Sequence, residues 1–239
     1  GDAYVITGQK IWSSRAVFAD WCFGLFRTDP ESSRHHGLSK ILVPLDSPGL
    51  TVRPIAQLDG DPGFAELFFD EVRVPVDNLL GPEHGGWGVA MATAGFERGL
   101  LLRSPARFQA AAARLVKIYK QNANRLSSGI KEQVLKAWGD TERFTAATYA
   151  LVAQVDRGAS ISSEASANKI FWSEMDRAMH RTAMTIMGMN AELEEGEGAI
   201  ENGRWLDGYM FSLAGPIYAG TNEIQRNILA ERVLGLPRQ

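Results

Sequence analysis

Some residues have types and spacing that could do chemistry. In Phe96-Glu97-Arg98-Gly99, a helical reading gives Glu97 the neighbours Thr93, Ala94, Leu100 and Leu101 at i±3 and i±4. A carboxylate among small and apolar side chains loses hydration. Its pKa then rises toward neutrality, which is the tuning a general base needs. A Glu paired with a nearby Arg on a helix surface is the other reading, and the residues alone leave both open. In Gln9-Lys10-Ile11-Trp12-Ser13-Ser14, an indole followed by hydroxyl residues at a strand end could wall a planar aromatic cofactor, or Trp12 could be a half-buried strand residue. In Ile217-Tyr218-Ala219-Gly220-Thr221-Asn222-Glu223, Thr221 is a candidate helix N-cap. Ile224 at its i+3 position rules out a reciprocal capping box. A glycine just before a helix N-terminus lets a ligand approach free backbone N–H groups. An ordinary helix start is the plainer interpretation.

These residues must be positioned by elements of two kinds. Up to about residue 80 the chain reads as short strands: Tyr4 and Ile6, then Gln9–Trp12, on either side of a turn at Gly8, followed by Trp21–Phe26, Lys40–Pro44, Leu50–Pro54 and Glu66–Phe69. Ser-Pro-Gly and Asp-Gly-Asp-Pro-Gly turns punctuate them, the pattern of an antiparallel sheet, sandwich or barrel. After Gly85-Gly86 the apolar period lengthens, with Val89, Met91, Ala92, Phe96, Leu100 and Leu101 at helical spacing. Helices are predicted over 86–121, 130–157, 163–189 and 221–234, with a kink or break at Pro105. Glu192–Gly203 reads as a loop. The fold class expected is α+β and multidomain: an antiparallel β domain over 1–84, then an all-α four-helix-bundle domain over 85–239.

Composition narrows the function. A formal net charge of −3 without long Lys/Arg blocks argues against nucleic-acid binding. No apolar run reaches the roughly 18 residues of a membrane span. The opening residues lack the pattern of a secretory signal and read as a start inside a domain. Cys22 is the only cysteine, so no internal disulfide forms and a reducing, cytoplasmic setting is expected. His35 and His36 are adjacent, His84 and His180 isolated, and no metal-ligand spacing is present.

Taken together, YVITGQKIWSS, HHGLSKILVPLDSPGLTVRPI, ELFFDEVRVPVDNLLGPEHGGW and IYAGTNEIQRNILAERVLGLPR resemble, in order, segments of the acyl-CoA dehydrogenase family. The likeness covers essentially the whole chain. It implies a middle β domain and a C-terminal helical domain, without the family's N-terminal helical domain or the first strands of the middle one. It also implies FAD as cofactor and α,β-desaturation of an acyl-CoA: a carboxylate takes the α-proton and the β-hydride goes to flavin N5. Many family members carry the base just before the Gly-Thr of the C-terminal signature, and here that position is Ala219. The isovaleryl and long-chain branches carry it on the first long helix of the C-terminal domain, which maps to Glu97, directly before Arg98.

By the same resemblance, the N–H of Ala219 binds the thioester carbonyl and Trp12 flanks the isoalloxazine. Ser14 bonds near the flavin N5 edge, while Thr221 and Glu223 touch the pyrophosphate and ribose. Arg98 supports the base or substrate pocket, and Tyr218 and Gly220 line the acyl cavity. The partners implied are an electron-transferring flavoprotein and further subunits, as a homodimer, homotetramer or heteromer with a homologous subunit.

Two segments depart from the family pattern. Arg125-Leu126-Ser127-Ser128-Gly129-Ile130 lacks the Phe of an Arg-x-x-Phe-Gly motif, and Thr185–Ala191 replaces a glycine-rich Gln-x-Phe-Gly-Gly-Asn-Gly run. Both would meet FAD across a subunit interface. A divergent bacterial-type branch acting on bulky or branched acyl groups is expected. A non-catalytic partner subunit and a flavin-dependent acyl-CoA oxidase are the alternatives.

Overall fold

The computed structural model describes residues 1–100, 103–159, 163 and 165–237, and of 94–100 the backbone alone. It has two compact units, Gly1–Phe96 and Glu97–Gln239.

The first unit holds two antiparallel three-stranded sheets. In one, β5 (Phe64–Pro75) lies between β1 (Ala3–Ser14) and β4 (Leu50–Ile55). In the other, β3 (Leu38–Pro44) lies between β2 (Trp21–Arg27) and the short β6 (Leu79–Leu80). Alternating side chains supply the core: Ala65, Leu67 and Phe69, then Val72 and Val74, all from β5, with Ile6, Ile41 and Val43.

The parity of the buried β5 residues changes from odd to even because β5 holds an extra residue. Ile6 opposes Val72 but Gly8 opposes Phe69, and Glu71 has φ 51°. This bulge explains why the sequence pattern ends the strand at Phe69: alternation resumes one residue out of step. A second bulge lies on β1, where Lys10 opposes Leu67 and Ser13 opposes Ala65, with Trp12 at φ 59°. The predicted turn at Gly8 is therefore absent. Residues 3–14 form one continuous strand, and Gly8 marks a register shift within it.

Helix α1 (Gly86–Leu100) starts against β3. A Cβ on Gly86 would lie 2.4 Å from the Lys40 backbone nitrogen, so only glycine permits this approach. Lys40 Nζ donates to Thr93 Oγ1 at 2.8 Å, fastening the helix to the strand.

In the second unit α2 (Pro105–Asn122), α3 (Ser128–Asp156), α5 (Arg204–Ala214) and α6 (Asn222–Arg232) all pack on α4 (Ala165–Met187). The single helix predicted over 86–121 is two helices, and Pro105 opens the second, where its fixed φ suits a first helical residue. Because α4 is covered on several sides, it buries Lys169, Trp172, Asp176, Met179, Ala183 and Ile186 alike. Phe108 meets Phe144 edge-on at 5.1 Å, and Trp172 lies 6.1 Å from Phe108. Helix α5 was not predicted. It carries Gly208 in mid-helix and buries only Trp205 and Ser212, which leaves little periodic signal.

Candidate functional site

The left-handed backbone of Trp12 sits in the β1 bulge, and the indole is 62% exposed. Bulges re-aim side chains, and here the effect is to turn a large aromatic outward. Phe64 supports it edge-on, with centroids 5.9 Å apart and planes at 84°. Ser14, exposed, pairs with that same Phe64 across the sheet. The half-buried strand Trp considered above is thus replaced by an exposed aromatic plate with a hydroxyl two residues away.

In the helical unit the chain turns sharply between α5 and α6. Ile217 and Tyr218 donate their N–H groups to the Ala214 carbonyl, and Asn222 donates to Pro216 at 2.9 Å. Ala219 and Gly220 take φ 55° and 81°, a left-handed pair. Gln225 Nε2 holds the Ala219 carbonyl at 3.0 Å, and a Cβ on Gly220 would lie 2.7 Å from that nitrogen. Among the described residues, no group accepts from the N–H of Ala219, Gly220 or Thr221.

Thr221 is the N-cap, its Oγ1 accepting from the Ile224 N–H at 3.3 Å. The Thr221 hydroxyl donates in turn to the Glu223 carboxyl. The Glu223 side chain is exposed, and a hydrogen bond from its own backbone N–H holds its carboxyl below the usual range. This end of α6 therefore combines N–H groups that have no acceptor among the described residues with an ionised carboxylate bonded to the capping hydroxyl.

Behind the turn lies a polar network that sequence reasoning missed. Lys169 is fully buried, and its Nζ donates to Asn222 Oδ1 at 2.8 Å, which also accepts from Ser173 Oγ at 3.2 Å. Burial lowers the Lys169 pKa; Glu223 opposes and Arg226 adds to that effect. Its signal was faint: Lys169 precedes Trp172 and Ser173 by three and four residues, on one helical face.

Beside the turn, Arg103 Nη2 donates to Tyr218 Oη at 2.5 Å. The guanidinium lies 5.0 Å from the Trp172 ring and 5.1 Å from the Tyr218 ring. One helical turn on, Arg107 pairs with the buried Asp176 at 3.1 Å. Burial raises the Tyr218 pKa against the opposing pull of Arg103 and Arg107, so the phenol is neutral near neutral pH.

The structure thus brings Tyr218, Ala219, Gly220, Thr221 and Glu223 together at one end of α6, and Trp12 and Ser14 at one strand end. Glu97 and Arg98 belong to α1, and their side chains lie outside the described residues. Among the described residues no cluster of His, Cys, Asp and Glu is placed to hold a metal ion, and no helix is long and apolar enough to cross a membrane.

The acyl-CoA dehydrogenase C-terminal domain matches residues 84–234, and the acyl-CoA dehydrogenase middle domain matches residues 1–72. The chain belongs to the acyl-CoA dehydrogenase family. It is 40% identical over 241 residues to acyl-CoA dehydrogenase IpdE1 of Mycobacterium tuberculosis, covering 100% of this chain and 61% of that protein. The IpdE1 of Mycolicibacterium smegmatis is also 40% identical, over 99% of this chain and 58% of the relative. The chain therefore spans about three-fifths of these relatives' length. Among solved structures, the Tcur3481-Tcur3483 steroid ACAD aligns with a TM-score of 0.91 at 27% identity, over 100% of this chain and 62% of that one. The ChsE4-ChsE5 complex from Mycobacterium tuberculosis aligns with a TM-score of 0.85 at 28% identity, over 100% of this chain and 63% of its counterpart. An antiparallel β unit followed by a helical unit is the family's middle and C-terminal architecture.

Proposed function

We propose that the chain forms the middle and catalytic domains of an FAD-dependent acyl-CoA dehydrogenase, with Glu97 as the base. The observation that carries this reading is the turn at Ala219. Its left-handed backbone leaves N–H groups without partners among the described residues at the head of α6, beside Tyr218. A pre-set N–H donor stabilises the enolate-like charge that develops on a thioester carbonyl when the α-proton leaves. Glu97 accepts that proton, and Arg98 supports it or the substrate pocket. Ala219 itself cannot take a proton, so the base must come from elsewhere, and the first helix supplies a carboxylate.

The residues present fit FAD. The exposed indole of Trp12 offers a face for a planar ring, with exposed Ser14 two residues along the strand. The capped N-terminus of α6 suits a pyrophosphate, through its N–H groups and dipole. The Thr221 hydroxyl can turn from the Glu223 carboxyl to the pyrophosphate, and ionised Glu223 can then accept from a ribose hydroxyl. The chemistry FAD supplies when bound is acceptance of the hydride that leaves the β-carbon.

An acyl-CoA thioester is the substrate class, and an electron-transferring flavoprotein in the cytoplasm is the acceptor this reading calls for. One observation favours a heteromeric variant, in which a homologous subunit completes the cofactor site. Arg125 lacks the family's following Phe, and it donates to the Ile186 carbonyl of its own chain at 3.4 Å. A relative of the same fold is known as a two-protein complex, ChsE4-ChsE5. The test is anaerobic flavin bleaching with a panel of acyl-CoAs. Rapid bleaching by one acyl class supports the dehydrogenase. Stable yellow flavin with every thioester moves the assignment to a non-catalytic partner subunit.

A further inference from the structure

We propose that Arg103 and Tyr218 recognise an oxygen acceptor, a carboxylate or a carbonyl, carried on the acyl part of the substrate. The inference rests on the reading that Tyr218 and Ala219 border the acyl group.

The two cations beside this turn are treated differently by the fold. Arg107 has the buried Asp176 as its counter-ion at 3.1 Å. Arg103, four residues earlier, pairs with no carboxylate among the described residues, and its one hydrogen bond there is to the Tyr218 hydroxyl. Its guanidinium is held against two aromatic rings, those of Trp172 and Tyr218. Trp172 is 1% exposed, so that platform is rigid. Ring contact restrains the guanidinium fork, and most of its five N–H donors have no acceptor among the described residues.

Tyr218 adds a donor of its own. Its oxygen accepts from Arg103, and the neutral phenol retains its O–H. Arg103, with no carboxylate partner among the described residues, and the phenol it bonds thus meet at the residue directly before Ala219. A plain alkyl chain packed there would strip water from both groups and return nothing. An acyl group ending in oxygen would restore those bonds, and a carboxylate would do so bidentately with the charge balanced.

The experiment compares octanoyl-CoA with its ω-keto and ω-carboxy analogues of equal length, in the intact FAD-loaded protein. Calorimetric Kd and the rate of flavin reduction are both read. At least one polar thioester should exceed octanoyl-CoA by about tenfold or more in Kd and in kcat/KM. Arg103→Met should erase that preference. Arg103→Lys should retain part of it for the carboxylate and little for the ketone, because a point charge replaces the fork. Tyr218→Phe keeps the ring and removes the hydroxyl. It should also reduce the preference, and it serves if Arg103→Met does not fold.

Octanoyl-CoA bound as tightly as both analogues would overturn the inference, as would a preference that survives Arg103→Met. Should no thioester bleach the flavin while the calorimetric preference holds, the dehydrogenase reading fails and the recognition site stands.

Discussion

Lys169 Nζ stands 2.8 Å from Asn222 Oδ1, and the lysine side chain has no exposure to solvent. Asn222 is the first residue of α6, directly after the cap Thr221. A buried ammonium therefore holds the base of the turn that presents Ala219, through a neutral acceptor.

That arrangement fixes the sign of a pH effect. The folded-state pKa of Lys169 is lowered, chiefly by burial, while the unfolded chain keeps the ordinary value of 10.5. Between the two values the unfolded state binds more protons, so this group makes stability rise with pH across that window. Below the lowered pKa the cost of burying the charge is fully present. In Lys169→Met an apolar chain fills the space, and Ser173 still donates to Asn222. The variant should be as stable as the parent or more so, with the alkaline rise reduced. Urea unfolding from neutral pH to about pH 10 checks this. A large loss of stability at every pH would show that the ammonium is a net stabiliser.

Thr221→Ala removes the acceptor for the Ile224 N–H at the head of α6. Loss of an N-cap costs about 1 kcal/mol. Thermal unfolding should drop by a few degrees, about 2–4 °C for a chain of this size. FAD retention on a desalting column should fall as well, since the same hydroxyl is assigned to the pyrophosphate. Normal retention with a lowered Tm would limit Thr221 to capping.

Trp12→Gly separates stability from cofactor binding. Trp12 is held at φ 59°, where a non-glycine backbone is strained by about 1–3 kcal/mol and glycine is not. The edge contact with Phe64, worth about 0.5–1.5 kcal/mol, is lost in exchange. Stability should stay within about 1 kcal/mol of the parent or rise, while FAD affinity falls. Unchanged affinity, measured by flavin fluorescence titration, would remove Trp12 from the cofactor site.

The two-part architecture was legible in the switch of apolar period at Gly86, because a strand and a helix impose different spacings on one hydrophobic face. Bulges were not legible. A single extra residue at Glu71 or Trp12 resets the parity, so a continuous strand reads as two or ends early. Helix α5 escaped because only Trp205 and Ser212 among its residues are buried. In the site, Thr221 was readable as a cap from its position before an apolar-periodic run. The left-handed pair at Ala219 and Gly220 was only half visible, since Gly advertises such a backbone and Ala does not. Lys169 and Arg103 were missed because their importance depends on burial and stacking by residues about 50 to 115 positions away.

The central claim is that Glu97 takes the α-proton, and Glu97→Gln tests it with the smallest change of shape. In the intact FAD-loaded protein, given the acyl-CoA that bleaches the parent fastest, substrate-driven flavin reduction is expected to vanish. FAD content and unfolding temperature should stay near the parent's. Bleaching at the parent rate in Glu97→Gln would overturn the assignment and place the base on another residue.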